Sequence, residues 1–240
     1  MKKLILLLFI PFLSFSQIDN GWTKSEISNA DVARDVSNIS DFEKDIILYH
    51  NLVRLYPKKY LELEILNWRE DIYPKDTVRF DFIWEETDLN SFYYKSLIKT
   101  LKKQKKLSKL EFDRQLYKDA LCLAKEQGKN GKVGHKRYRC KKINYWENCD
   151  YGQYNGRDVV NSLLIDEGVK DLGHRKNILN PKISTIGGAV SYHPKYETVI
   201  VIDYDLWILK GINTKEIISF ACNPRDTYYI SSNFRIKVRG

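Results

Sequence analysis

A change from helical to strand patterning along the chain most constrains its fold. Apolar residues recur at helical spacing over 42–55, 89–103 and 116–124, and Ser40 with Glu43 forms a capping box before the first of these segments. The segments 185–192 and 198–204 are instead rich in Val, Ile and Tyr, and a short turn between them predicts a hairpin. Helices therefore precede strands, which predicts an α+β layered fold and argues against a doubly wound sheet.

The first sixteen residues predict a secretory signal peptide. Lys2 and Lys3 precede an apolar run over 4–15, and Ser14 and Ser16 give a small-residue cleavage pattern. The apolar run is too short to span a bilayer, and no second run of spanning length follows. We therefore expect a protein without a transmembrane segment that is secreted or periplasmic once residues 1–16 are removed.

The charge of the chain is moderately basic. The net charge of +9 falls to +7 when Lys2 and Lys3 are removed, and residues 102–109 supply much of the remainder. Such a segment can attract an anionic surface, such as envelope polymers or lipid head groups, or can simply be a solvated helix end. No nucleic-acid-binding motif accompanies the charge, so we expect no nucleic-acid partner.

Four cysteines remain in the exported chain, namely Cys122, Cys140, Cys149 and Cys222. An even number of cysteines in an oxidising compartment favours disulfides. Cys140–Cys149 is the preferred bridge because it closes a short loop, and the other two either pair or stay free. The chain has no Cys-x-x-Cys spacing, which argues against a zinc-thiolate site.

Two histidines and two acids concentrate the possible chemistry. His135 and His174 each follow a glycine and precede basic residues, and Glu147 and Asp166 lie between them in the sequence. Neutral imidazoles bind Zn²⁺ and similar divalent cations, and carboxylates complete the ligand set or hold the second ring nitrogen. We therefore predict a cavity in which His135 and His174 bind a cation, with Glu147 and Asp166 as supporting groups or as direct ligands.

The same residues leave alternatives open. A His–carboxylate pair can act as a general base, so Glu147, His135 and His174 could form a metal-assisted hydrolase that uses a cation-bound water. No motif supplies a nucleophile, since neither Gly-x-Ser-x-Gly nor His-Glu-x-x-His is present. A carboxylate–histidine network can also serve only to satisfy buried polar groups.

Other polar residues predict structural roles. His50 lies on an apolar helical stripe and is expected to be a packed, hydrogen-bonded core residue. Asn51 and Arg54 are expected to tie the same helix to neighbouring loops. His193 falls in the predicted hairpin turn, where we expect it to be exposed.

The order of several motifs resembles the CAP family, which includes cysteine-rich secretory proteins, antigen 5 and plant pathogenesis-related 1 proteins. The most specific segment is Gly-His-Arg-Lys-Asn-Ile-Leu-Asn-Pro at 173–181. The other matching segments are Tyr-His-Asn-Leu-Val-Arg at 49–54, the run 116–131, Val-Gly-His at 133–135, Glu147-Asn148, Asp-Val-Val at 158–160 and Ile186-Gly187. The resemblance covers about residues 41–207 and is to a secreted, bacterial-type member.

The resemblance implies an α–β–α sandwich with a central, mostly antiparallel sheet and a cavity lined by two His and two acidic residues. His135, Glu147 and His174 occupy the matching motif positions, and Asp166 falls where the second acid is usual. The chain departs from the family pattern in having Trp146 before Glu147, Leu163 in place of Trp, and Asp in place of Glu as the second acid. Glu167 is an alternative candidate for that second acid.

The residue pattern and the resemblance together predict a division of the chain and a function. Residues 17–40 are expected to be an extended lead-in, 41–207 the CAP-like domain, and 208–240 a C-terminal extension that can add a strand at 228–238. The predicted function is a secreted binding module for an extracellular or envelope lipid, peptide or glycan, with a divalent cation, for which Zn²⁺ is the first candidate. The rivals are the metal-assisted hydrolase and an envelope adhesin that acts through its basic surface at Lys102, Lys103, Lys105 and Lys106.

Overall fold

The computed structural model describes residues 21–66, 91–144 and 146–206. All of these belong to the first of two units into which the chain divides, Met1–Leu206. The expected signal peptide (1–16) and the expected extension (208–240), with its strand at 228–238, lie outside the described residues. No helix within the described ranges is long and apolar enough to cross a bilayer.

Helices outnumber strands in the described part of the chain. The helices are α1 (Lys24–Ala30), α2 (Asp41–Leu55), α3 (Pro57–Tyr60), α4 (Phe92–Lys103), α5 (Arg114–Asn130), α6 (Gly156–Ile165) and α7 (Gly173–Ile178), and a π-helical turn at Leu61–Ile65 continues α3. The strands are β1 (Glu111–Phe112), β2 (Trp146–Tyr151), β3 (Thr185–His193) and β4 (Glu197–Asp205). The predicted α+β class is confirmed.

The four strands form one mixed sheet in the order β1-β3-β4-β2. Strands β3 and β4 form the predicted hairpin, β2 pairs antiparallel with β4, and only the two-residue β1 pairs in parallel, with β3. The sheet is therefore mostly antiparallel, as expected. Strand β2 has no strand on its outer side within the described residues, and this edge of the sheet carries Glu147.

Each face of the sheet is covered by helices, which gives the expected α–β–α sandwich. Alternate residues of β4 point to opposite faces: Val199 and Val201 pack with α5, whereas Ile200 and Ile202 join the core formed with α2 and α6. Helix α5 lies very close to β3 at Gly187, where an added Cβ would stand 2.1 Å from the backbone nitrogen of Tyr117. A side chain at Gly187 would therefore push the helix away from the sheet.

The buried polar residues of α2 behave as predicted. His50 is fully buried, with its Nδ1 2.7 Å from the carbonyl oxygen of Ile46 and its Nε2 2.8 Å from the hydroxyl of Tyr204. Asn51 exchanges hydrogen bonds with the backbone of Leu110. Arg54 is fully buried and donates to the carbonyls of Ser108, Ile178, Asn180 and Ile183. Arg54 thus joins the chain segments before β1 and before β3.

The prediction of an extended lead-in over 17–40 was wrong for its described part. Thr23 and Glu26 form a capping box that starts α1, a signal that the sequence contained. Trp22 and Ala30 are fully buried in the core with α2. Their burial is favourable because it removes apolar surface of these side chains and of α2 from water. The segment is therefore part of the packed domain.

The expectation for His193 was also wrong. Its ring is fully buried at the end of β3, with Nε2 3.3 Å from the carbonyl oxygen of Lys132. Its Nδ1 accepts from the backbone nitrogens of Lys195 and Tyr196. Because the ring satisfies three backbone groups of the hairpin and of the loop after α5, burial is favourable despite its position beside a turn.

We expect Arg54→Leu to lower the free energy of unfolding by about 3–5 kcal/mol, because it removes a buried cation that satisfies four carbonyls. Urea unfolding monitored by circular dichroism measures this change. Arg34→Leu is the control, since Arg34 pairs with Asp31 and Asp45 at a partly exposed site and should cost at most about 1 kcal/mol. Equal losses in the two variants would contradict the assigned role of Arg54.

Candidate functional site

His135 is held beside the edge strand by its Nδ1 atom. This nitrogen lies 2.8 Å from Oε1 of Glu147, whose side chain is buried, while the imidazole remains 54% exposed. Gly134 precedes it with φ +89°, a conformation that favours glycine. The nitrogen of Gly134 donates to the hydroxyl of Tyr151, and its carbonyl accepts from the side chain of Gln127. The Nδ1 atom of this histidine is therefore held against the edge of the sheet, while more than half of the imidazole is exposed to solvent.

A buried charge cluster lies beneath this pair. Glu147 on β2 stands directly opposite Asp203 on β4, so two acids share one face of the sheet. The guanidinium of Arg137 lies between them, bonding Oε2 of Glu147 and lying 3.4 Å from Oδ2 of Asp203. The same guanidinium also donates to two oxygens of Asp119 on α5, the backbone carbonyl and Oδ1, each at 3.2 Å. Arg137 thus ties the loop of His135 to the sheet and to the helix above it.

Burial and neighbouring charge divide the protons of this cluster unequally. Burial raises the pKa of Asp203, and the nearby carboxylates of Glu147 and Asp119 raise it further, while Arg137 opposes them. Burial alone would also raise the pKa of Glu147, but hydrogen bonds from His135 and the charge of Arg137 outweigh it and hold that pKa below its ordinary value. Glu147 therefore carries the negative charge that faces His135, whereas Asp203 favours the protonated form.

His174 forms a second pair of the same kind. Its Nδ1 lies 2.8 Å from Oδ1 of Asp166, whose side chain is fully buried, and the other carboxylate oxygen accepts from the backbone nitrogen of Arg175. Asp166 is the C-cap of α6 and has φ +62°, which an Asp tolerates better than a branched residue. Glu167 is exposed and accepts instead from Ser91, so Asp166 is the acid that holds His174.

Asparagines connect the two pairs across the edge of the sheet. Asn148 on β2 donates to the backbone carbonyl of His174 and to the hydroxyl of Tyr204. Asn177 of α7 donates to the side-chain oxygen of Asn148 at 2.7 Å. Since Tyr204 also bonds His50, a buried chain of hydrogen bonds runs from α2 through β4 and β2 to α7. This chain fixes α7, and with it His174, against the strand that carries Glu147.

Cys149 lies on the same face of β2 as Glu147, and it corrects the predicted disulfide. The bridge joins Cys122 and Cys140, and Cys149 is a free, buried thiol, while Cys222 lies outside the described residues. The short spacing from Cys140 was misleading because β2 turns Cys149 inward toward α5, whereas Cys122 and Cys140 lie on the outer side of that helix. Burial and the charges of Glu147 and Asp203 raise the pKa of Cys149 well above its ordinary value.

One group in the described residues is close enough to hold a metal ion through three side chains. It consists of His135, Glu147 and Cys149, whose ligand atoms all lie within 4.8 Å of one another. Neither His174 nor Asp166 belongs to this group. The expectation that His135 and His174 share one cation therefore remains a prediction, and what the two rings have in common is an Nδ1 atom beside a buried carboxylate.

Comparison of the sequence with protein-family models identifies the family of this domain. The model of the cysteine-rich secretory protein (CAP) family matches residues 49–204, which include both His–carboxylate pairs. The chain belongs to the CAP family. No curated protein matches the chain. Family membership leaves the function of this CAP domain and its ligand open.

Several residues of the site were missed from the sequence, although each left a signal. Asp203 interrupts the apolar run of β4, and Asp119 interrupts the apolar stripe of α5. Arg137 follows His135 by two residues, but the sequence indicated only a basic residue there and no bond to a buried acid. Asp150, also missed, is a further acid whose pKa burial raises to about 7, with the charge of nearby His174 opposing that rise.

The proton on Asp203 predicts a pH-dependent mutant effect. Because the pKa of Asp203 is higher in the folded state than in the unfolded chain, its contribution to stability is lost as pH rises above about 4 toward that higher value. Asp203→Asn stays neutral, so the stability of the variant relative to the original chain should improve from pH 5 to pH 8. Urea unfolding at the two pH values measures this difference.

Glu167→Gln provides the control for that experiment. Glu167 is exposed, accepts from Ser91 and lies outside the charge cluster, so the effect of its substitution should be nearly constant from pH 5 to pH 8. A constant difference for Asp203→Asn over the same range would contradict the assignment of the proton.

Proposed function

We propose that this CAP domain is an exported binding module that holds a divalent cation between Nε2 of His135 and Nε2 of His174. The single observation that carries the proposal is the matched pairing of the rings, in which each Nδ1 lies 2.8 Å from a buried carboxylate oxygen. A cation held there would organise a cleft for a lipid, peptide or glycan ligand from the extracellular space or the envelope.

The pairing supports cation binding for a chemical reason. An imidazole that donates its Nδ1 proton to a carboxylate presents an unprotonated Nε2, which is the atom that ligates Zn²⁺ in carboxylate–histidine–zinc arrangements. The carboxylate also raises the basicity of the ligating nitrogen. Zn²⁺ is one of the cations that imidazole and carboxylate ligands suit, and we take it as the test cation. Glu147 and Asp166 would therefore orient the ligands and balance the added charge.

A second arrangement would use the other side of His135. There Nδ1, Glu147 and Cys149 would form the ligand set, with the sulfur 3.7 Å from Nδ1. This arrangement would displace the bond between His135 and Glu147 and would deprotonate a thiol whose pKa the surroundings raise. We therefore favour the Nε2 arrangement, and a cysteine variant distinguishes the two.

The hydrolase alternative has less support. It needs Glu147 to accept a proton from a cation-bound water. One oxygen of Glu147 faces His135 and the other accepts from Arg137, and the lowered pKa makes the group a weak base. Cys149 is a poor nucleophile because its raised pKa keeps it as a thiol. The proposal is therefore binding without catalysis.

We expect the purified chain to bind Zn²⁺ by isothermal titration calorimetry, and the combined change His135→Ala and His174→Ala to abolish that binding. Asp166→Asn should weaken the affinity about 10- to 100-fold, because it removes the carboxylate that orients His174. The matched control is Glu167→Gln, which removes the neighbouring exposed charge and should leave the affinity unchanged.

The cysteine variant decides between the two arrangements. If Nε2 atoms bind the cation, Cys149→Ser keeps the affinity; a loss of binding in Cys149→Ser with none in His174→Ala would place the cation at Nδ1 instead. Undiminished binding in the double histidine variant would exclude both arrangements. Unfolding midpoints of all variants show whether a loss of binding reflects a loss of fold.

A further inference from the structure

The outer side of α5 and the loop that follows it, residues 131–144, form one continuous surface. The loop runs back along the helix: Gln127 bonds the carbonyl of Gly134, and Glu126 accepts from the backbone nitrogens of Tyr138 and Arg139. Further along, Cys122 is bridged to Cys140, and Asp119 accepts from the nitrogen of Ile143. The contacts on α5 from 127 back to 119 span about 12 Å at 1.5 Å per residue. We call this helix face and loop the basic surface.

The exposed charges of the basic surface are almost all of one sign. Its exposed cations are Lys118, Lys125 and Lys129 on the helix and Lys132, Lys136, Arg139, Lys141 and Lys142 on the loop. None of these side chains forms an ion pair in the described ranges 21–66, 91–144 and 146–206. The two acids within α5 and this loop are Glu126, which accepts from backbone nitrogens, and Asp119, which is buried against Arg137. The surface therefore presents concentrated positive charge to solvent.

Large apolar side chains stand among these cations. Val133 is 54% exposed, Tyr138 48% and Ile143 45%, within eleven residues of sequence. The ammonium groups of Lys132 and Lys136 lie 4.3 and 5.0 Å from the centre of the Tyr138 ring. Exposed Val and Ile have no favourable contact to offer a hydrated polyanion. They gain free energy when they enter the boundary between lipid head groups and acyl chains.

We propose that the basic surface docks the protein onto the surface of an anionic lipid bilayer. Lysine and arginine side chains supply attraction to the head groups, and Val133, Tyr138 and Ile143 enter the interface beneath them. The proposal is independent of cation binding. His135 lies in the same loop, so docking would bring the candidate site next to the membrane. It also differs from the adhesin alternative, which used Lys102, Lys103, Lys105 and Lys106.

The test is co-sedimentation of the whole chain with vesicles of phosphatidylcholine alone or mixed equally with phosphatidylglycerol. We expect binding only to the anionic vesicles, weakening with added salt. Changing Lys132, Lys136, Lys141 and Lys142 to Gln should reduce the partition coefficient about fivefold for each cation removed. The matched control changes Lys102, Lys103, Lys105 and Lys106 to Gln, which removes the same charge elsewhere and should have a much smaller effect.

A second variant separates a membrane from a soluble polyanion. Val133→Ser combined with Ile143→Ser should weaken vesicle binding and leave retention on a heparin column unchanged. The proposal is overturned if the control variant loses as much vesicle binding as the loop variant, or if the full chain does not bind anionic vesicles. It is also overturned if the serine variant binds vesicles as well as the original chain, which would point to a hydrated polyanion as the partner.

Discussion

The hydrogen bond from Nδ1 of each site histidine to a buried carboxylate is the interaction on which the rest of the site depends. It sets the direction of both rings and occupies their Nδ1 atoms, so the proposed cation would be bound by the Nε2 atoms. The two carboxylates come from different elements, Glu147 from the edge strand β2 and Asp166 from the left-handed C-cap of α6. The fold must therefore fix the position of strand β2 relative to the C-terminal end of helix α6.

The edge strand β2 achieves this because its side chains alternate between the two faces of the sheet. Glu147 and Cys149 face α5 and the loop of His135. There the guanidinium of Arg137 lies between the carboxyl groups of Glu147 and Asp203. Asn148 faces the other layer and bonds the carbonyl of His174. One short strand thus connects both histidines, and the family match across 49–204 includes every element that it joins.

Hydrophobic periodicity and the order of motifs predicted much of the fold. The sequence predicted fewer of the contacts between side chains. The capping box at Ser40 and the Val- and Ile-rich hairpin predicted α2, β3 and β4, because local chemistry decides those elements. Strand β2 lies at the edge of the sheet and carries polar residues on both faces. It therefore lacks the alternation of polar and apolar residues from which a strand is predicted. The true partner of Cys140 depended on which way β2 turns Cys149, a tertiary property that sequence spacing does not contain.

In the proposed site, Zn²⁺ binds the two Nε2 atoms. Each Nδ1 keeps its proton and donates it in a hydrogen bond to a carboxylate. Nitrogen-15 spectra of the histidine rings, recorded with and without Zn²⁺ at a pH where the rings are neutral, test it most directly. We expect the metal to shift the Nε2 signals of His135 and His174 together while their Nδ1–H signals persist. Loss of the Nδ1–H signal of His135 on adding Zn²⁺, with the His174 ring unchanged, would contradict it.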